Sequence, residues 1–160
     1  MRNADARQSS LFAMVQPEDR VPKTHPLRKV LEATAGAIAD MRHRIDAVYP
    51  AGKELAAAPE EILRALLLSA LYGIPSERRL MEELEYNLLY RWFVGLQLDD
   101  ELFDRQTYRK HRDRLEKSGV VRDFASRTLS RLSPAILRNP HFTPNRPLLE
   151  SWVGQLRWDA

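Results

Sequence analysis

Residues Ile62–Leu96 read ILRALLLSALYGIPSERRLMEELEYNLLYRWFVGL, and this stretch decides the fold. Just ahead of it, Pro59-Glu60-Glu61 places proline at a first helical position and acids in the first turn, where they complement the helix dipole. From Ile62 the helix is apolar nearly all round, the pattern of a central buried helix. Gly73 stands where a left-handed C-terminal cap belongs. Ser76 then caps a second helix, Glu77 to about Glu85, with Leu80, Met81 and Leu84 facing inward. Tyr86 to Val94 is either its continuation or a separate helix, closed by Gly95. Tyr86, Tyr90, Trp92 and Phe93 could form a base-stacking platform. Beside so apolar a helix they are assigned to the core instead.

Outward from this stretch, the N-terminal side carries one long amphipathic helix. It starts near Pro26, with Thr24 or His25 as cap. Leu27, Val30, Leu31, Thr34, Ile38, Met41, Ile45 and Val48 form one stripe at three- and four-residue spacing, and Pro50 and Gly52 end it. Residues 1–23 read as an arm, with Ser10-Leu11-Phe12 as a short apolar anchor. Lys53 to Ala58 is a connector. On the C-terminal side, the acidic turn Asp99–Asp104 offers Asp100 or Asp104 as N-cap for a helix ending at Ser118-Gly119, whose thin apolar stripe is Tyr108, His111 and Leu115. A last helix, Val120 to Leu132, buries Val121, Phe124, Thr128 and Leu129. Pro134, Pro140, Pro144 and Pro147 make the remainder irregular. The expectation is an all-α domain of five or six helices over residues 24–132, followed by an irregular tail over 133–160.

The composition excludes several function classes. The 160-residue chain has no cysteine, so neither a disulfide framework nor a cysteine-based zinc site can form. The N-terminus lacks a signal-peptide core, and the longest apolar run, Ile62 to Tyr72, is too short to span a bilayer. A soluble, cytoplasmic protein without membrane contact is expected. His25, His43, His111 and His141 include no pair four residues apart, and no glycine-rich phosphate loop is present. The acids Asp99, Asp100, Glu101 and Asp104 are adjacent rather than convergent, which suits turn and cap better than metal ligation. No catalytic residues, no metal, no cofactor and no small-molecule substrate are expected.

Charge is distributed unevenly. The net charge is +3, yet Arg105, Arg109, Lys110, Arg112, Arg114 and Lys117 face only Asp113 and Glu116 between residues 105 and 117, a local net of +4. The first 104 residues are therefore net acidic. A basic helix after an acidic turn has the form of a helix-turn-helix recognition element. Arg105 and Arg109 stand where contacts to base edges are made, and Lys110, Arg112, Arg114 and Lys117 can reach phosphates. Arg78 and Arg79, on the preceding helix, are a rival pair. The bland alternative is a solvated helix face.

The same residues resemble a known family. Leu66–Ile74, Ser76–Leu84 and the string Tyr86-Asn87-Leu88-Leu89-Tyr90-Arg91-Trp92-Phe93-Val94-Gly95-Leu96 are similar to the N-terminal domain of bacterial insertion-sequence transposases of the IS-five type. Ser10-Leu11-Phe12, Val21-Pro22, His25–Lys29, Thr107 and Arg112-Asp113-Arg114-Leu115 fit the same frame, so the resemblance covers about residues 9–152. It implies a helical domain that binds the terminal inverted repeats of double-stranded DNA and assembles the transposase. In the family a ribonuclease-H-like domain follows, in which two aspartates and a glutamate hold divalent metal for strand cleavage and transfer.

The resemblance fails at the first catalytic aspartate. The family sets it in His-Phe-x-x-Asp-Gly-Thr-x-x-Glu-x-Trp, whereas this sequence reads His141-Phe142-Thr143-Pro144-Asn145-Arg146-Pro147-Leu148-Leu149-Glu150-Ser151-Trp152. Asn145 takes the aspartate position, and the sequence ends at Ala160 before a second aspartate or a final glutamate. The expectation is a truncated, catalytically inactive transposase-like DNA-binding protein, with residues 133–160 a vestige of the catalytic domain. Its partners would be inverted-repeat DNA and a second copy, as a homo-oligomer or in mixed oligomers with a full-length relative. The alternatives are a protein–protein oligomerisation module and a decayed remnant that does not bind DNA.

Overall fold

The computed structural model describes residues 16–50 and 55–156, and every regular element among them is helical. In chain order these are α1 (Pro17–Arg20), α2 (Leu27–Val48), α3 (Pro59–Leu71), α4 (Glu77–Tyr86), α5 (Leu88–Val94), α6 (Arg105–Lys117), α7 (Val120–Ser130), α8 (Pro134–Leu137) and α9 (Arg146–Val153). The all-α expectation holds. The described residues contain more helices than the five or six expected, because prolines open short helices and Asn87 divides one. None of the described helices is long and apolar enough to cross a membrane.

At the centre lies α3. Ile62, Leu63, Ala65, Leu66, Leu67, Leu68, Ala70 and Leu71 are buried, and no residue of the helix is fully exposed. Helices α2, α5, α6, α7 and α9 all pack against it. Along α2 the predicted stripe is buried at Leu27, Val30, Thr34, Ile38, Met41 and Ile45, with Leu31 and Val48 half-buried. This helix packs lengthwise on α7, and Arg44 bonded to Asp123 and Arg131 bonded to Asp40 flank the contact. Its N-cap position is Pro26, but the His25 side chain does serve the first turn: Nδ1 accepts the Leu27 N–H at 3.1 Å.

Two helix breaks are set by side-chain oxygens. Ser76 Oγ accepts the Arg79 N–H at 3.1 Å and starts α4. Asn87 Oδ1 accepts the Tyr90 N–H at 3.2 Å, which makes α5 a separate helix rather than a continuation. The bend turns Tyr86 outward, so the expectation that it is core is wrong: it is 86% exposed. Trp92 and Phe93 are core, and half-buried Tyr90 lies against Tyr72 with ring centroids 4.8 Å apart.

Both ends of the described chain are tied to the helical core. The arm closes on the domain through α1, where Glu18 accepts a 2.5 Å hydrogen bond from Trp92 Nε1 and pairs with Arg28. The anchor expected at Ser10-Leu11-Phe12 lies outside the described residues. The tail expected to be irregular carries α8 and α9. Asn145 caps α9 by accepting the Leu148 N–H at 3.2 Å, and Leu149 is fully buried. Prolines at α8 and α9 fall in the first turn, where a missing N–H costs nothing. The N–H groups of Thr143 and Asn145 donate to the carbonyls of Leu71 and Ala70, at 3.0 and 2.7 Å, supplying partners that the end of α3 lacks internally. Gly73 makes this junction possible. Its φ is +59°, and a Cβ there would stand 2.8 Å from the Thr143 carbonyl oxygen.

Arg91 is the one arginine among the described residues that is buried, at 5% exposure. Its guanidinium donates to the carbonyls of Leu84 (2.9 Å), Gln97 (3.2 and 2.7 Å) and Asp100 (2.7 Å). It thereby joins α5 to the end of α4 and to the loop that leads into α6. Arg91→Met is expected to cost about 3 kcal/mol, since three carbonyls lose a charged donor in a buried place. Urea unfolding followed by circular dichroism checks this, and Arg91→Lys should recover only part of the loss.

Candidate nucleic-acid interface

Helix α6 is positioned by its cap and by one apolar edge. Asp104 Oδ1 accepts the Thr107 N–H at 2.6 Å, a bond that holds the carboxyl below its usual range. Asp100, the other candidate cap, instead accepts the Gln97 N–H at 2.7 Å within the preceding turn. Tyr108, His111 and Leu115 are buried, as their spacing predicts. His111 Nδ1 and the Tyr49 hydroxyl are 3.0 Å apart and form a hydrogen bond between α6 and the end of α2.

With that edge inward, the six cations of α6 divide into two rows. Arg105, Arg109 and Arg112 all turn toward one carboxylate, Glu77, at the first position of α4. Arg105 donates Nε to Glu77 Oε2 at 3.3 Å, and Arg109 donates Nε and Nη2 to the same oxygen at 3.1 and 2.8 Å. Arg112 donates Nη1 to Oε1 and also bonds Asp113 through Nε and Nη2. Burial pushes the Glu77 carboxyl upward. The hydrogen bond from Arg109, the charge of Arg112 and the hydrogen bond from Arg105 outweigh it and hold the group below the usual carboxylate range.

The second row is Lys110, Arg114 and Lys117, all exposed. None of the three makes an ion pair with a described residue; Arg114 lies over the Tyr49 ring, 5.2 Å from its centroid. The row borders an open groove against the end of α2, where Ala47 and Val48 form the opposite wall and Asp113 is the acid present. A smaller hollow, bounded by Pro50, Leu55 and Thr107, continues it past Lys110 and Arg114.

Arg78 and Arg79 are not part of either row. Both are exposed on α4 and pair with acids of their own helix, Arg78 with Glu82 at 3.2 Å and Arg79 with Glu83 at 2.7 Å. Such surface pairs hold their partners weakly. Arg78 does share a hollow with Arg105, but Glu82, Glu85 and Asp104 line it too.

The family follows from a comparison with known proteins. A family model described as a transposase domain (DUF772) matches residues 15–114, and the chain belongs to this family. The match runs from α1 into the last turns of α6, so it spans Glu77 and all the cations above except Lys117. No curated protein and no solved structure matches the chain.

Burial pushes the His111 imidazole below its ordinary value near 6.5, with the charges of Arg114 and Lys110 acting in the same direction. Burial also lowers His25, aided by His141 and Arg28. The unfolded chain therefore takes up these protons more readily than the folded one. Stability is unaffected well above the ordinary value and falls as pH drops through it. The urea midpoint is expected to be lower at about pH 5.5 than at about pH 7.5. His111→Gln should show a smaller drop than the unsubstituted protein, provided the Tyr49 hydroxyl keeps its partner.

Proposed function

We propose that this transposase-family chain binds double-stranded DNA at the inverted-repeat ends of an insertion sequence, through α6, and does not itself cleave or join strands. The observation that carries the reading is the exposed row Lys110–Arg114–Lys117, which makes no ion pair with the described residues. From Lys110 to Lys117 is about 10 Å along the helix axis, a span of about three base steps at 3.4 Å each. Cations so placed can follow one strand of phosphates, and each contact releases a counterion from the DNA. Carboxylates already occupy the other row, Arg105–Arg109–Arg112, which suits it less to bulk phosphate attraction. The helix that follows the Ser118-Gly119 turn, α7, packs on both α6 and α2 and so gives α6 a rigid backing.

The absence of cleavage rests on Asn145. Its side-chain oxygen caps α9 and its N–H is bonded to Ala70, and a neutral amide supplies no anionic bridge for paired divalent cations. Glu150, the remaining acid of the segment that the resemblance assigns to the catalytic domain, lies on helix α9.

Fluorescence anisotropy tests the binding. A duplex that the protein selects from a random pool is titrated against a scrambled duplex of equal composition across a salt series. Tighter binding to the selected duplex, with a log–log salt slope reflecting several phosphate contacts, is expected. Lys110→Glu with Lys117→Glu should weaken both complexes alike and reduce the slope by about two, one for each lysine. Absence of binding at moderate salt, with self-association in sedimentation, would instead favour an oligomerisation module. Magnesium- or manganese-dependent nicking by the pure protein would refute the non-cleaving assignment.

A further inference from the structure

The Glu77 cluster has an asymmetry that neither the family nor the charge distribution explains. Glu77 is fixed from below. It is the first residue of α4, its helix start is capped by Ser76, and its side chain is 17% exposed. The three arginines do not use the same edge to reach it. Arg105 gives up only Nε, which leaves both terminal nitrogens uncommitted. Arg109 gives up Nε and Nη2, which leaves Nη1. Arg112 is gripped by Glu77 and Asp113 together and is 24% exposed, so it is a strut between helices. Arg105 and Arg109 are one turn apart on α6, and their side chains are 54% and 51% exposed.

We propose that Glu77 is a positioning residue for sequence discrimination: it grips Arg105 and Arg109 so that their remaining terminal nitrogens are presented together to a base edge. This rests on the reading of α6 as the DNA-facing helix. A guanidinium recognises a guanine edge by parallel hydrogen bonds in a fixed plane, which a freely rotating arginine on a helix surface lacks. Immobilising such a side chain costs rotamer entropy on binding. Glu77 meets that cost during folding, because the carboxylate comes from a different helix and is in place only once α4 and α6 pack. It also cancels one of the positive charges in this row, so these arginines contribute less to indiscriminate phosphate attraction than the lysine row does. The two rows thus divide the work. Lys110, Arg114 and Lys117 supply affinity, while Arg105 and Arg109, held by Glu77, supply choice.

The test is the ratio of affinities for the selected and scrambled duplexes, measured on the full chain. Glu77→Gln is expected to lower this ratio about tenfold, the scale of one good bidentate base contact. Affinity for the scrambled duplex should hold or rise slightly, with a steeper salt slope, because one negative charge is gone. Arg109→Lys keeps charge and fold but cannot be gripped edge-on, and it should lower the ratio in the same way. Adding Glu77→Gln to Arg105→Ala/Arg109→Ala should then change the ratio no further. If the unsubstituted protein discriminates and both Glu77→Gln and Arg109→Lys discriminate equally well, the positioning role is wrong and the DNA reading stands. If Glu77→Gln weakens both duplexes equally, in step with lost thermal stability, Glu77 is only a strut. If the unsubstituted protein binds neither duplex, or both alike, the DNA-end reading fails and takes this inference with it.

Discussion

Three carbonyls converge on the buried guanidinium of Arg91, and that bond set ties the end of α4 to the loop that leads into α6. Burying a charge without a carboxylate partner is costly, and it is tolerated only where polar groups replace the lost water. Here the replacement is directional. The Leu84 carbonyl belongs to the end of α4, and the Gln97 and Asp100 carbonyls belong to the loop before α6. One side chain on α5 therefore fixes the distance between α4 and the start of α6. Together with the buried edge of α6, this keeps Glu77 on α4 within reach of Arg105, Arg109 and Arg112 on α6. The string containing Arg91 consequently serves the fold, and through it the surface.

The other organising constraint is the end of α3. A helix buried on all sides cannot leave its last carbonyls to water, and the chain brings Thr143 and Asn145 back to satisfy two of them. This makes the segment after Pro140 a working part of the helical packing. It also bears on Asn145. Asparagine and aspartate cap helices about equally well, so capping α9 does not by itself require an amide.

Long elements are the legible part of this sequence. The stripe from Leu27 to Val48, the apolar run from Ile62 to Leu71, and the Tyr108–His111–Leu115 edge each follow from spacing, because burial of one face imposes its period on the chain. Caps at Ser76, Asp104 and Gly95 are legible for the same local reason. What spacing cannot supply is the partner across space. Glu77 lies 28, 32 and 35 residues from the arginines it holds, and nothing local marks it as more than an acid in a first helical turn. Tyr86 stands at helical spacing with the core aromatics, but the bend that Asn87 introduces turns it to solvent. Proline-rich residues 133–153 read as irregular because proline both breaks helices and opens them, and which it does depends on the cap beside it.

The division of α6 into two rows shows why counting cations is a poor guide to a polyanion-binding surface. Six cations in thirteen residues predict a strongly basic helix, but the available charge is set by where the acids fall in the folded chain. Glu77 and Asp113 fall on one row and leave the other nearly free. On the function proposed for α6, the paired row is not thereby lost to binding. A carboxylate that holds an arginine by its Nε edge reduces long-range attraction while it improves short-range geometry, and the two effects act on different quantities. Long-range attraction governs how strongly any duplex is held; geometry governs which one is preferred. On the function proposed for α6, a helix that does both can assign each to a separate row, with the acid on the neighbouring helix deciding which row is which.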